Sequence, residues 1–254
     1  MGWLRGLADL VFSPVCLGCD APVIPGRDQP LVCGRCRARL LPPPSPRCAR
    51  CSAPLVLSGR TPEPGACVDC REWDPALVRA DSACVLRPPA DRLVHRLKYG
   101  GWRALADPLG EIMERVLRPD WRAGGRAPRT AEPVLVPVPT TRRRRRARGY
   151  DQAALLSEAL SRRAGLECVP ALARTGSRGS QISLQPSARR ANVAGAFRLA
   201  VPMDRIRGGR VLLVDDVLTT GATASECARV LANARAAEVA LVTFARALDA
   251  RRSD

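Results

Sequence analysis

The chain has 254 residues, enough for one large domain or two modest ones with a substantial core. Its 41 basic residues against 24 acidic ones leave a formal net charge of +17, almost all of it arginine, because Lys98 is the single lysine. Arginine on this scale suits phosphate-bearing partners such as nucleic acid, but arginine-rich codon usage raises the count without selection at any one site, so clustering is more informative than number.

In chain order, Trp3, Leu4, Leu7, Leu10 and Val11 follow helical spacing, while Arg5 and Asp9 interrupt any continuous apolar run. The pattern predicts a short amphipathic helix rather than a secretion signal. No stretch of about 18 apolar residues occurs, so no membrane insertion is expected. Eleven cysteines without a signal point to metal binding and a reducing cytoplasm.

Eight of those cysteines form four CxxC pairs: Cys16/Cys19, Cys33/Cys36, Cys48/Cys51 and Cys67/Cys70. Paired in sequence order, they have the spacing of zinc ribbons, in which two knuckles face each other and complete a tetrahedral site. Two structural Zn²⁺ ions follow, with no open coordination position for catalysis. An iron–sulfur cluster would use the same four-thiolate ligation, disulfides would need an oxidising compartment, and a cross-braced pairing is the alternative to the sequential one. Metal binding, worth about 10–16 kcal/mol per site, would supply most of the folding energy of this Pro-rich segment. A double zinc ribbon over residues 1–75 and a second domain over 76–254 are the expected organisation.

From about residue 75 helical periodicity begins. Ala90 to Leu97 carries Leu93 and Leu97 at i, i+4 and stops at Lys98-Tyr99-Gly100-Gly101; Leu105 to Val116 is a second amphipathic segment. His95, the only histidine, reads as a helix-face residue, and Cys84, Cys168 and Cys227 as small core residues. Val134 to Pro139 reads as a strand running into a turn that holds Arg142 to Arg146 and Arg148, followed by a helix over Asp151 to Ala164 that ends at Gly165. Leu166 to Leu172 and Ala196 to Val201 are predicted strands, joined by a polar stretch long enough to be a lid. Arg148, with Gln181 and Arg189 in that stretch, are candidate pyrophosphate or lid contacts.

Val211 to Val214 is an apolar, β-branched run that reads as a strand buried on both faces, ending on Asp215 and Asp216. Thr219, Thr220, Gly221, Ala222 and Thr223 then make a turn into a helix. Backbone N–H groups of such a turn can wrap one phosphate, and the two acids can accept hydrogen bonds from a vicinal diol. A phosphate and a diol one sugar apart describe a ribose 5-phosphate. The stretch resembles the phosphoribosyl pyrophosphate (PRPP) motif of type I phosphoribosyltransferases, which implies ribose-binding acids, a 5-phosphate turn and Mg²⁺ bound with PRPP. Glu238 to Ala245 supplies a last strand, and the fold class is α/β with an open parallel sheet.

The cysteine pairs, Leu97-Lys98-Tyr99, Pro137-Val138-Pro139, Arg148-Gly149-Tyr150-Asp151-Gln152, Gln181 to Arg189 with Asn192-Val193, and the PRPP motif together resemble the ComF family, including its GntX-type proteins. The resemblance implies a double zinc ribbon joined to a phosphoribosyltransferase-like domain. It further implies a cytoplasmic role in DNA uptake during natural transformation, with single-stranded DNA and DNA-uptake or replication-restart proteins as partners. Asp151 and Ser183 depart from the Asn and Gly usual in that family. An active transferase of nucleobase or nucleotide metabolism and a non-catalytic PRPP sensor are the other functions compatible with the motif. A transferase needs a hood over the acceptor base, and only residues from about 76 to 130 remain to build one.

Overall fold

The computed structural model describes residues 14–23, 31–55, 67–121, 132–175 and 193–248. The expected helix at Trp3 to Val11, and the lid residues Gln181, Ser183, Arg189 and Asn192, lie outside these. The described strands are β1 (Leu77–Val85), β2 (Val134–Pro137), β3 (Leu172–Arg174), β4 (Phe197–Leu199), β5 (Arg210–Leu218) and β6 (Glu238–Arg246). Four of them form a parallel sheet in the order β1-β6-β5-β2, while β3 and β4 make a separate antiparallel pair.

Val211 to Val214 pairs with Val134 to Pro137 on one side and with Val239 to Val242 on the other. Residues 211–214 are at most 3% exposed, as an apolar run in a central parallel strand should be. The strand does not end at the acids; it continues through Asp215 and Asp216 to Leu218, because β6 keeps pairing with it as far as Arg246.

The sequence pattern gave no sign of β1, which carries Arg79, Asp81 and Ser82 instead of an alternating apolar series. Those polar groups find partners. Arg79 bonds Asp81 at 2.6 Å, and Ser82 meets Thr243 of β6 at 2.7 Å inside the core. The outer edge of β1 is covered by the cysteine-rich region: Ala80 N–H donates to Arg50 O, Val85 N–H donates to Leu41 O, and the Ser52 hydroxyl donates to Ala80 O.

The helices are α1 (Gly34–Ala38), α2 (Ala90–Tyr99), α3 (Ala106–Glu114), α4 (Arg142–Arg148), α5 (Gln152–Ala164) and α6 (Ala222–Asn233). On α2, Leu93, Val94 and Leu97 are buried and His95 is exposed, matching the predicted face. The Arg142 to Arg148 segment is not a turn, as its position after a strand suggested, but the helix α4. Arginine is a good helix former, and the Thr141 hydroxyl accepts from Arg144 N–H at one end while left-handed Gly149 closes the other. The predicted strand at Leu166 to Leu172 reduces to a bridge between Cys168 and Leu135, and pairing with β4 starts only at Leu172.

Two buried clusters lie on the two faces of the sheet. One holds α2, α3 and α5; the other holds α6 with β3 and β4. Each also takes in part of the cysteine-rich region, Cys16, Leu17, Val32 and Cys36 in the first and Cys51, Ala53, Cys70 and Trp73 in the second. Cys84 and Cys227 are fully buried, as expected of core thiols, and Cys168 is partly buried.

Helices α3 and α5 touch most closely at Gly110, where an added Cβ would lie 2.8 Å from the Ala159 Cβ and 3.3 Å from the Ala159 carbonyl carbon. Gly110→Val should therefore destabilise the protein by about 1–3 kcal/mol despite removing a helical glycine, since two rigid helices must separate to admit it. Thermal unfolding would show a lowered Tm, and an unchanged or raised value would contradict this packing.

Candidate functional site

The two metal candidates are assembled in sequential order. Cys16, Cys19, Cys33 and Cys36 place their sulfurs within 4.8 Å of one another, as do Cys48, Cys51, Cys67 and Cys70. A tetrahedral ion with Zn–S bonds of about 2.3 Å sets its sulfurs roughly 3.8 Å apart. The observed separations fit: 3.8 Å for Cys19–Cys33, 3.8 Å for Cys48–Cys70 and 3.6 Å for Cys51–Cys67. They are far too long for disulfides. Backbone N–H groups of Gly18 and Cys33 point at the Cys16 sulfur, each at 3.3 Å. Burial opposes ionisation of Cys16, yet these donors outweigh it and bring the thiol down to about 7. The eight predicted ligands thus form two four-thiol cages that suit Zn²⁺ as structural sites.

The second candidate site lies where β5 hands over to α6. Asp216 is 4% exposed, and its Oδ1 sits 2.9 Å from the Lys98 ammonium at the C-terminal end of α2. Its Oδ2 has no hydrogen-bond partner among the described residues. A buried carboxylate oxygen without a donor is costly, and a ligand hydroxyl would satisfy it. Asp215 accepts the Asp216 N–H at 2.8 Å, and its charge also acts on Arg174 and Cys227. Burial and the neighbouring Asp216 charge push the Asp215 carboxyl up to about 8, against the pull of the Asp216 N–H and of Lys98.

Beyond the acids, Thr219 is exposed, Thr220 partly so, and Gly221 takes a left-handed φ of 76° as N-cap of α6. Ala222 and Thr223 open the helix, so the turn presents backbone N–H groups with the positive end of the helix dipole behind them. Trp73 closes the rear of this turn: its indole N–H donates to Thr220 O at 2.8 Å.

The arginine-rich region reaches the same neighbourhood by another route. Arg148 bonds Gln152 at 2.7 Å and stacks on Tyr99, its guanidinium carbon 4.9 Å from the ring centroid. Tyr150 donates to Leu97 O, and Arg103 packs over the Tyr150 ring. Asp151 accepts from Thr140 N–H and Ala153 N–H, both at 3.0 Å. It is therefore the cap of α5, a role Asn would fill equally well. Arg142 to Arg146 all point to solvent. Sequence reasoning named Lys98 only within a motif and did not single out Trp73 or Arg174. The signal for Lys98 was present in its being the one lysine of 41 cationic side chains.

Fold and site define a class, a phosphoribosyltransferase-type α/β sheet carrying a double zinc ribbon. Residues 7–71 match the family described as double zinc ribbon domain, and residues 173–254 match the phosphoribosyl transferase domain. The "DNA utilization protein YhgH" of Escherichia coli K12 is 31% identical over 205 residues, covering 79% of this chain and 84% of that protein. The protein of the same name from Salmonella typhimurium is 31% identical over 186 residues, 72% of this chain and 78% of that one. "Competence protein F" of Haemophilus influenzae is 37% identical over 115 residues, 45% of this chain and 50% of that protein. Among solved structures, the glutamine PRPP amidotransferase of B. subtilis matches 56% of this chain and 26% of its own, at 17% identity and a TM-score of 0.35. The chain belongs to the ComF family.

Asp215 should leave a signature in stability. Its carboxyl titrates at about 8 in the native state against an ordinary 3.8, so the folded chain holds a proton that the unfolded chain releases. Stability therefore falls as pH rises between those values and levels off above them. Asp215→Asn, which never ionises, is expected to raise Tm at pH 8 and to change it little at pH 4. Equal shifts at both pH values would count against a raised pKa.

Proposed function

We propose that this chain binds PRPP at the β5–α6 turn and acts in the cytoplasm on single-stranded DNA taken up by the cell, alongside DNA-uptake or replication-restart proteins. The observation that carries the reading is Asp216: a buried carboxylate, held by Lys98 on one oxygen and unpartnered among the described residues on the other, beside a glycine-opened helix N-terminus. Asp215 and Asp216 would receive the ribose hydroxyls, and Thr219 to Thr223 the 5-phosphate. Mg²⁺ bound with PRPP would neutralise the pyrophosphate. Arg148, with Gln181 and Arg189 of the expected lid, would contact that end. The names of the relatives, one a competence protein and the others DNA utilization proteins, support the cellular role.

Lys98 of α2, within the segment expected to supply a hood, faces Asp216, and this supports that expectation. Calorimetric titration with PRPP and Mg²⁺ should give saturable binding to the wild-type protein and none to an Asp215→Asn/Asp216→Asn variant. Heat unchanged in the variant would remove these acids from the site.

A second partner is favoured by the surface. Arg142 to Arg146 are exposed on α4, and Arg148 of the same helix stacks on Tyr99, which is 65% exposed. Aromatic faces interleaved with arginine suit single-stranded nucleic acid, with backbone contacts dominating. Replacing Arg142 to Arg146 with Gln should weaken single-stranded DNA binding and lower the slope of log affinity against log salt by up to about 3.5. A slope equal to that of the wild type would place DNA elsewhere on the chain.

A further inference from the structure

We propose that Trp73 is a positioning residue for the phosphate turn, and that through it the second four-cysteine cluster controls how well that turn binds a phosphate monoester. The proposal rests on the β5–α6 turn being the ligand site.

The path consists of direct contacts. Trp73 N–H donates to Cys70 O at 3.1 Å, so the indole begins three residues after a cluster ligand. Arg50, between Cys48 and Cys51, fixes the same segment by donating to Cys70 O, Asp74 O and Leu77 O at 3.1, 2.8 and 3.0 Å, with its guanidinium over the Trp73 ring. From the β6 side, Arg246 donates to Cys51 O at 2.6 Å. The far end of this unit grips the turn twice. The Trp73 indole N–H bonds Thr220 O, and Asp74 N–H donates to the Ser225 hydroxyl in the first turns of α6, both at 2.8 Å.

The bond to Thr220 O has a directional consequence. The Thr220 carbonyl and the Gly221 N–H belong to one planar trans peptide and point in opposite directions. Anchoring the carbonyl on the indole aims the Gly221 N–H away from Trp73, toward the side open to an anion. The same indole explains the glycine: a Cβ at Gly221 would lie 2.4–2.5 Å from three atoms of the Trp73 ring system. Trp73 is 5% exposed, and so it backs the turn without competing for the ligand's place. If the cluster loosens, this peptide is free to rotate and the turn loses a pre-aimed donor.

The probe is ribose 5-phosphate, titrated against the zinc-loaded full chain by calorimetry and by tryptophan emission. Trp73→Phe keeps most of the packing and removes the N–H. It is expected to keep two zinc equivalents and the wild-type Tm within a few degrees, to weaken binding about 3- to 10-fold, and to lose the ligand-induced emission change although Trp3, Trp102 and Trp121 remain. Trp73→Ala should weaken binding further, and chelation of zinc from the wild-type protein should weaken it at least as much as Trp73→Phe. Wild-type binding matched by Trp73→Phe, or an emission change that survives in it, overturns the proposal. Absence of ribose 5-phosphate and PRPP binding by the wild type would instead sink the ligand reading on which it stands.

Discussion

The exposed edge of β1 is the constraint on which the rest of the structure depends. A nine-residue strand at the border of a parallel sheet carries unpaired N–H and C=O groups that invite another chain. Here the cysteine-rich region takes them. Arg50 O, Leu41 O, the Ser52 hydroxyl and the Arg50 guanidinium bond to Ala80, Val85 and Leu77 of β1. That region has little aliphatic core, and its two four-thiol cages hold it in shape. The covering of this sheet edge and the shape of the two cages are therefore linked.

The two cages divide the work between the faces of the sheet. The first packs against α2, where Arg92 and Arg96 both pair with Asp20 and Arg92 also reaches Gly18 O. The last turn of helix α2 carries Lys98, the partner of Asp216. The second cage leads through Trp73 to Thr220 and through Asp74 to Ser225. One cage thus packs on the helix that carries Lys98 to Asp216, and the other is tied to the turn that opens α6. Asp215 and Asp216 lie on a strand still paired with β6, the left-handed Gly221 follows it, and this scaffold flanks them on both sides.

Sequence made the central motif legible because each of its parts had a local cause: a β-branched run, two acids, a glycine at positive φ and a helix with buried Ala224, Cys227, Ala228 and Leu231. The cysteine spacing was equally local and favoured sequential over cross-braced pairing, and the assembled cages are the sequential ones. β1 was hidden because its polar side chains are satisfied by residues far away, Ser82 by Thr243 and the Ala80 carbonyl by Ser52. α4 was hidden because a run of arginines after a strand reads as a charged turn until the caps at Thr141 and Gly149 are considered together. Trp73 escaped notice for the same reason as β1, since its partner is 147 residues away.

The single lysine gives the chain an unusual chemical simplicity. Guanidinium groups resist acylation under conditions where amines react. Lys98 is thus the one side-chain amine of the chain, and it lies against Asp216 with 22% of its side chain exposed. An acetyl or succinyl group added to it removes the positive charge facing the buried carboxylate. Lysine acylation, spread over many positions in most proteins, could here fall on one residue only, the one that faces Asp216.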